Sequence, residues 1–211
     1  MKITKYGHAA FLIEEGEARI LIDPGSFSSG FEKHTDLSAI IYTHQHGDHL
    51  DRDKLKSLAE SNPRAIILAD IDSSRLISAD GFNVQILRAG DKASIAGVEV
   101  EAIGVNHAVI HPDIPIVANI GYMIADRFFY PGDALTLPER PVEILALPIE
   151  APWSKVQEVV DYARNVKPKI VIPAHDAIIT TPEMYYGMIT SLTDDYGIKF
   201  EPLANGITIE L

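Results

Sequence analysis

Short apolar runs, rich in isoleucine and valine, alternate with turn signals along most of the chain. Apolar runs of this length, bounded by Gly, Pro, Asn, Asp or Ser, are typical of buried β-strands. The pattern predicts strands at residues 9–13, 19–22, 39–42, 65–68, 84–87, 98–103, 120–124, 127–130, 143–147, 169–172 and 206–210.

Other segments show the periodicity of amphipathic helices. In residues 153–166, apolar side chains recur every three or four positions from Val156 to Ala163, and charged residues fill the other face. This helix should end before Pro168, because proline cannot continue a helix. Helices are also predicted at 51–60, 73–79 and 182–196.

The order of these elements indicates a mixed α/β chain in which strands outnumber helices. At 211 residues the chain is long enough to bury a substantial core. No Pro/Gly/Ser-rich linker, low-complexity tract or internal repeat divides it. We therefore expect a single domain over residues 1–211.

The composition limits the cellular locations and the binding partners that we expect. The chain has no cysteine, which excludes disulfides, thiolate metal sites and a cysteine nucleophile. Residues 1–8 lack a signal-peptide core and no apolar stretch is long enough to span a bilayer, so we expect a cytoplasmic protein with no membrane attachment. The formal charge of −12 repels a phosphate backbone, which weakens any hypothesis of a nucleic-acid partner.

The segment that carries chemistry follows the apolar run 39–42. It places His44, His46, Asp48 and His49 close together in the sequence. Imidazole nitrogens and carboxylate oxygens are the ligands that zinc and similar divalent ions prefer. The alternative is a solvated polar loop, but imidazoles at this density have little other use. The motif predicts a metal site between a strand and a helix.

Three more residues repeat this placement. Each of the three lies in the loop that follows a predicted strand: His107, Asp133 and His175. Taken alone, His107 and His175 are better explained as hydrogen-bonded loop histidines, and Asp133 could be a turn residue after Gly132. Loops at strand ends converge on one edge of a layered sheet, so these residues would join the motif. Seven such side chains are too many for one tetrahedral ion and suit two ions that share a carboxylate.

With these motifs the sequence resembles the metallo-beta-lactamase fold superfamily, whose signature is His-x-His-x-Asp-His. It is most similar to the small members that resemble L-ascorbate-6-phosphate lactonase. The similarity covers the whole chain and rests on segments 7–11, 22–25, 43–49, 106–107, 132–133, 151–153 and 173–176. The resemblance implies a four-layer αβ/βα sandwich with two metals at the shared edge of its sheets.

The resemblance also implies which residues hold each ion. The first ion would be held by His44, His46 and His107, and the second by Asp48, His49 and His175. Asp133 would bridge the two ions. The expected catalytic residues are Asp48, His49 and Asp133. Asp48 would orient the attacking water or accept its proton.

Four further residues are candidates for the surroundings of the metals. In the family an aspartate placed like Asp23 orients a ligand histidine, although Asp23 is also a good turn residue before Pro24. His8 and Asn106 lie in family-like stretches and are candidates for contact with the site. His111 is a candidate for substrate contact, with a plain loop role as the alternative.

Differences from particular branches of the superfamily argue against the activities of those branches. The absence of cysteine argues against a true beta-lactamase, and an intact His46 with no flavin module argues against flavodiiron redox chemistry. The chain leaves little space for the added caps and domains of glyoxalase II-like and RNA-processing relatives. We expect the substrate pocket to come from loops 25–38 and 108–117, His34 to lie on the surface, and Trp153 to pack at a helix start.

These inferences predict an intracellular hydrolase of a small molecule that uses two divalent ions, zinc or alternatively manganese or iron. Metal-bound hydroxide, available because the ion lowers the pKa of water to about 7, would attack an ester, lactone or phosphodiester bond. A nuclease or phosphodiesterase acting on nucleic acid is a second hypothesis, disfavoured by the acidic balance and the lack of a Lys/Arg cluster. A non-catalytic metal-binding sensor is a third. Homo-oligomerisation stays open.

Overall fold

The computed structural model describes residues 1–211. Its strands are β1 (Lys2–Tyr6), β2 (Ala10–Glu15), β3 (Ala18–Ile22), β4 (Ala39–Tyr42), β5 (Ile66–Ala69), β6 (Gln85–Ile86), β7 (Lys92–Ile95), β8 (Val98–Ile103), β9 (Gly121–Ile124), β10 (Phe128–Tyr130), β11 (Ile144–Pro148), β12 (Ile170–Ala174), β13 (Lys199–Phe200) and β14 (Thr208–Glu210). Its helices are α1 (Arg52–Ser61), α2 (Ile71–Ala79), α3 (Val156–Val166) and α4 (Pro182–Thr193), and a 3-10 turn (Asp194–Tyr196) follows α4.

The strands form two seven-stranded sheets that share one plan. Sheet one has the order β14-β1-β2-β3-β4-β5-β6, and sheet two has the order β13-β12-β11-β10-β9-β8-β7. In sheet one the strands from β14 to β3 pair antiparallel and those from β3 to β6 pair parallel. In sheet two the strands from β7 to β10 pair antiparallel and those from β10 to β13 pair parallel. Each sheet therefore has a parallel half, where strand-end loops gather at one edge.

Alternate residues of the central strands face different cores. In β3, Ile20 packs between the two sheets, whereas Leu21 packs with the buried side chains of α1 and α2. In β11, Ile144 faces the same inner core and Leu145 packs with α3 and α4. Strands covered on both faces need apolar residues at every position, which explains the continuous apolar runs in the sequence. The layers are helix, sheet, sheet and helix, which confirms the predicted αβ/βα sandwich.

Three strands were missed by the sequence pattern. In β1 the polar residues Lys2, Thr4 and Lys5 interrupt the apolar run, and in β7 only Ile95 is buried. Strand β13 has two residues, too few to produce a pattern. The predicted strand at 84–87 is shorter in the structure, at Gln85–Ile86. Strands β6, β7 and β13 lie at or next to sheet edges, where burial is incomplete, whereas β1 is buried from Ile3 to Tyr6 and was missed because two of its buried residues are polar.

The helices begin where local hydrogen bonds allow. Asp51 and Asp70 cap α1 and α2, because each side chain accepts bonds from the backbone N–H groups of two following residues. The helix predicted from residue 153 begins at Val156, since Lys155 has an extended backbone. Trp153 therefore lies before the helix and not at its start, which corrects the sequence prediction. None of the helices combines the length and apolar composition needed to cross a membrane.

Candidate metal centre

Histidine and aspartate side chains from five loops meet at one edge of the two sheets. The loop after β4 carries residues 44–49, the turn between β1 and β2 carries His8, and both belong to sheet one. From sheet two, His107 follows β8, Asp133 follows β10 and His175 follows β12. This is the convergence that the strand-end positions predicted.

Backbone hydrogen bonds between the sheets fix these loops against one another. The N–H of Ile120 donates to the carbonyl oxygen of Thr43 over 2.9 Å. The N–H of His175 donates to the carbonyl oxygen of His8 over 2.8 Å. The ligands from one sheet are thus held in register with those from the other by the main chain itself.

His44, His46 and His107 form one group. Their ring centroids lie 4.7 to 4.9 Å apart, and one nitrogen of each lies within 4.8 Å of the others. The buried Nε2 atoms of His44 and His107 have no hydrogen-bond partner. Burial, reinforced by neighbouring imidazoles, lowers the pKa of His44 well below its usual value, so that its ring is neutral. Neutral imidazoles with unpaired nitrogens are what a metal ion needs as ligands.

A second group lies beside the first. The Nε2 atoms of His49 and His175 are 2.8 Å apart, and Oδ1 of Asp133 lies 3.1 Å and 2.9 Å from them, respectively. Oδ2 of Asp48 is 3.9 Å from the His49 nitrogen and 3.8 Å from that of His175. Four potential ligand atoms therefore surround one small volume.

In these histidine rings the nitrogen that points away from the site, Nδ1, makes a hydrogen bond that fixes the proton on that nitrogen. Nδ1 of His107 donates to the carbonyl oxygen of the next residue over 2.6 Å, and Nδ1 of His175 donates to the carbonyl oxygen of Glu150 over 3.1 Å. Nδ1 of His49 donates to Oδ2 of Asp23 over 2.7 Å. Carbonyl and carboxylate oxygens only accept, so in the neutral rings each Nε2 presents a lone pair to the site.

This arrangement passes a direct test for a bound cation. The lone pairs of His49 Nε2 and His175 Nε2 face each other at 2.8 Å, and the Asp133 carboxylate oxygen is as close to both. Three electron-pair donors at such distances repel one another unless a positive charge, either a proton or a metal ion, lies among them. Nitrogen and oxygen donors without thiolate suit zinc, manganese or iron. The residues present therefore fit a divalent metal.

The electrostatics of the site point the same way. Burial by itself would lower the pKa of His49, but the carboxylates of Asp133 and Asp23 outweigh it and raise that pKa well above its usual value, so without a metal the ring holds a proton that a bound ion would displace from Nε2. Burial would raise the pKa of Asp133, yet His175 and His49 hold it well below its usual value. The pKa of Asp48 is also lowered, because His8, His49 and His175 together outweigh burial. The carboxylates stay ionised and attract positive charge.

Asp23 makes the contacts that the sequence analysis expected of it. The side chain is fully buried, and besides His49 it accepts bonds from the backbone N–H of Thr43 (2.8 Å) and from its hydroxyl (2.6 Å). Asp23 and His175 both have positive φ angles, 45° and 64°. Such left-handed backbone is uncommon for residues other than glycine, and here it occurs beside the clustered ligands.

The surroundings of Asp133 include residues that sequence reasoning missed. Nε1 of Trp153 donates to Oδ2 of Asp133 over 2.8 Å, so Trp153 is more than the packing residue expected. Trp153 follows β11, and the strand-end argument used for the histidines would have found it. Asn119 Oδ1 accepts from the N–H of Asp133 over 3.0 Å. Gly132 (φ 65°) permits this approach, because a Cβ there would lie 2.4 Å from that amide oxygen and 2.8 Å from Cβ of Thr43.

Three other candidates lie apart from the cluster. His111 has an exposed side chain, and its contacts are with Asp113 in its own loop. Asn106 is exposed and contributes a backbone bridge to Ala118. His34 is half-buried and pairs with the Tyr6 hydroxyl over 2.8 Å, so it is not the free surface residue expected. His8, by contrast, is fully buried, with Nε2 3.5 Å from Oδ2 of Asp48.

A pair of mixed sheets between helices, with a histidine and aspartate cluster at the shared edge, defines the class of proteins with the metallo-beta-lactamase fold. The family described as "Beta-lactamase superfamily domain" matches residues 2–175. The chain belongs to this superfamily, and its fold is that of the metallo-beta-lactamases.

Relatives extend the similarity over nearly the whole chain. Protein Rv0786c of Mycobacterium tuberculosis is 44% identical over 200 residues, covering 92% of this chain and 93% of the relative. A UPF0173 metal-dependent hydrolase of Alkaliphilus metalliredigens is 27% identical over 206 residues, covering 88% and 91%. Igni18, a metallo hydrolase of Ignicoccus hospitalis, shares the fold with a TM-score of 0.75 at 19% identity, over 100% of this chain and 98% of that one. The protein is a metal-dependent hydrolase of the metallo-beta-lactamase superfamily.

Proposed function

We propose that the protein uses two divalent ions to hydrolyse a small-molecule ester or lactone. One observation carries the binuclear part of this proposal: the two oxygens of Asp133 face different histidine groups. Oδ1 lies beside the Nε2 atoms of His49 and His175, whereas Oδ2 lies 3.4 Å from Nε2 of His107. A carboxylate in this position can bridge an ion held by His44, His46 and His107 and a second ion held by Asp48, His49 and His175.

When bound, the ions would polarise the scissile carbonyl and lower the pKa of water from ~16 to about 7. The chain's own contribution to orienting that water falls to Asp48. Its side chain is 23% exposed, more open than those of His49, Asp133 and His175. From this position the Asp48 carboxylate would orient the water by accepting a hydrogen bond from it.

The wall beside the first histidine group is apolar. Ile110, Ile114 and Ile116 line a groove together with His46 and His107. Ile114 and Ile116 are 46% and 55% exposed, although isoleucine usually avoids water. The groove lies in loop 108–117, one of the two loops from which the sequence predicted a pocket.

The other predicted loop, 25–38, contributes a second apolar surface. Phe27 is 54% exposed and packs edge-on against the ring of His8, with 5.5 Å between the centroids. Exposed apolar side chains on both sides of a polar centre suit a substrate that carries an apolar group next to its reactive bond.

The loops that carry His107 and His175 offer no cation for binding a phosphate, whereas on the sheet-one side Lys33 lies in loop 25–38 and Lys56 lines a cavity beside Gly47. Residues 104–118 and 175–181 contain no lysine or arginine. Lys54, near loop 25–38, donates to the carbonyl oxygen of Gly25 over 3.0 Å, and Arg52 is paired with Asp80. We therefore place carboxyl esters and lactones ahead of phosphodiesters as the first substrates to test.

The test is turnover by zinc-, manganese- and iron-loaded protein on chromogenic acetate, butyrate and octanoate esters, aryl-substituted lactones and a bis-aryl phosphodiester. Asp133→Asn is the control, because it keeps the side-chain size and removes the bridging charge. We expect ester or lactone turnover that rises with acyl length and falls more than about 100-fold in Asp133→Asn, since a direct ligand matters more than an outer one. Loaded wild type that turns over only the phosphodiester would refute carbonyl chemistry.

The apolar wall has its own matched pair of variants. Ile116→Ser lies in the groove, and Ile207→Ser alters an isoleucine of similar exposure (52%) next to β14. We expect Ile116→Ser to raise KM for octanoate several-fold while acetate is little affected, because one buried aliphatic group contributes about 1–3 kcal/mol to selectivity. Ile207→Ser should behave as wild type. Equal changes for both esters in Ile116→Ser would remove the substrate-binding role of the groove.

A further inference from the structure

His8 is an unsatisfied buried histidine at the edge of the metal centre. It lies in the turn between β1 and β2, its exposure is 0%, and neither ring nitrogen has a hydrogen-bond partner. Leaving a buried polar group without a partner costs about 1–3 kcal/mol, so such positions are rare without a purpose. The surroundings of the ring show what that purpose is.

The groups that His8 faces are themselves candidate ligands. Nε2 lies 3.5 Å from Oδ2 of Asp48, and the ring centroid is 4.0 Å from that of His175. One ligand atom from each of these three residues lies within 4.8 Å of the other two. The ring of His8 thus lies beside the second group.

The separation from Asp48 favours a shared ion over a direct hydrogen bond. An N–H···O bond usually spans 2.7–3.2 Å, less than the 3.5 Å found here. Two adjacent ligands that each lie about 2.1 Å from one five-coordinate ion are roughly 3.0–3.6 Å apart. The distance between His8 and Asp48 is the one expected for two ligands of one ion.

The backbone holds His8 in this position without using its ring. Its carbonyl oxygen accepts the N–H of His175 over 2.8 Å, which ties the turn to the loop of another ligand. Gly7 has a φ of 75°, and a Cβ there would lie 2.9 Å from the carbonyl oxygen of Phe27. The turn is therefore packed tightly around main-chain atoms, and the imidazole remains available for binding.

We propose that His8 is a ligand of the second ion, together with Asp48, His49 and His175. This inference rests on the proposed binuclear function and adds a residue to its metal centre. With the Asp133 oxygen, the second ion would have five protein ligands, more than a tetrahedral zinc site takes. A set of that size suits an ion with higher coordination, such as manganese or iron, at the second position.

The experiment measures bound metal and leaves activity aside. Wild type, His8→Ala and the control His34→Ala are equilibrated with buffered free Mn²⁺ or Zn²⁺, and the ions per chain are counted by elemental analysis. His34 is a suitable control because it is a half-buried histidine that pairs with Tyr6 away from the cluster. We expect two ions in wild type and in His34→Ala. In His8→Ala we expect one tight ion and a second bound at least tenfold more weakly.

The outcomes separate this proposal from the one on which it rests. Two ions with wild-type affinities in His8→Ala would overturn the ligand role of His8 and leave the binuclear function intact. Fewer than two ions in wild type would overturn the binuclear function, and with it this role.

A second variant separates a ligand from a residue that merely positions Asp48. The amide of Gln can still donate a hydrogen bond to Asp48, but it is a poor ligand for these ions. We expect His8→Gln to lose the second ion as His8→Ala does, and to change the visible absorption of Co²⁺-substituted protein. Restoration of wild-type affinity and spectrum by His8→Gln would overturn the ligand role. If His8→Ala does not fold, the comparison of His8→Gln with wild type decides the question.

Discussion

Lys5 and Asp176 form an ion pair that is almost completely buried, with side-chain exposures of 3% and 8%. Lys5 belongs to β1 of sheet one, and Asp176 follows the ligand candidate His175 in sheet two. The hydroxyl of Tyr186 also donates to Asp176 over 2.6 Å. The pair therefore joins the two sheets at the loop that carries His175.

Lys5→Met should be strongly destabilising. It leaves the buried Asp176 carboxylate without its cation, and removing one partner of a buried ion pair costs about 3–5 kcal/mol. The double variant Lys5→Met/Asp176→Leu should regain most of this loss, because no charge is left unpaired. Urea unfolding of the three proteins measures the difference. A double variant no more stable than Lys5→Met would show that the ion pair is not the source of the effect.

Asp23→Ala should weaken metal binding without abolishing it. Asp23 fixes the Nδ1 proton of His49 and touches no metal position itself, and losing such an outer partner typically costs 10–100-fold in affinity. Chelator competition measures the change. Asp36→Ala is the control, since Asp36 is 64% exposed and pairs with Arg19. Unchanged affinity in Asp23→Ala would refute the orienting role.

Asp70 should make stability depend on pH. Burial raises its pKa to about 6 in the folded protein, against an ordinary value of 3.8. The folded state therefore keeps this proton where the unfolded chain has released it, so its contribution to stability is fully present below about pH 4 and is lost as pH rises through about 6. At higher pH the ionised form is destabilising, on the order of 3 kcal/mol.

Asp70→Asn tests this directly, because asparagine caps the N-terminus of α2 as well as aspartate does. The variant should be more stable than wild type at pH 8, and the gain should shrink towards pH 4. Chemical denaturation at several pH values gives the two curves. A stability difference that does not vary with pH would contradict the raised pKa of Asp70.

Removing the metals should lower the melting temperature. The candidate ligands come from both sheets, so bound ions stabilise the docked state over the separated one. A ligand at 1,000 times its Kd contributes about 4 kcal/mol, which corresponds to a shift on the order of 10 °C for a domain of this size. Thermal melts with and without EDTA measure it. Asp133→Asn should respond much less, and an equal response would show that EDTA acts elsewhere.

The sequence predicted the central strands of the two sheets better than the strands at or near their edges. Strands such as β3, β4 and β11 are covered on both faces, and burial on both faces produces an unbroken apolar run. Strand β1 was missed because Lys5 is buried through its ion pair with Asp176 and not through hydrophobicity. A partner 171 positions away leaves no mark on the local pattern.

The sequence predicted which residues form the candidate metal centre, but not the hydrogen bonds that orient them. His107, Asp133 and His175 were placed by their positions after strands, and the structure brings them together with residues 44–49. Which nitrogen of His49 faces the site depends on Asp23, and which oxygen of Asp133 faces the other ligands depends on Trp153. Each contact joins loops that follow neighbouring strands of one sheet, and the strand order that makes those loops neighbours is not visible in the local sequence pattern. For His111 the sequence suggested contact with substrate, but the structure places it in an exposed loop, paired with Asp113.

Trp153 is the only tryptophan in the chain, and its indole N–H bonds to the carboxylate that faces both histidine groups. Indole fluorescence responds to the charge and hydrogen bonding around the ring. All tryptophan emission from this protein therefore originates beside Asp133, without background from other positions. The protein carries a built-in optical reporter, so the arrival of each ion can be followed in real time without a label.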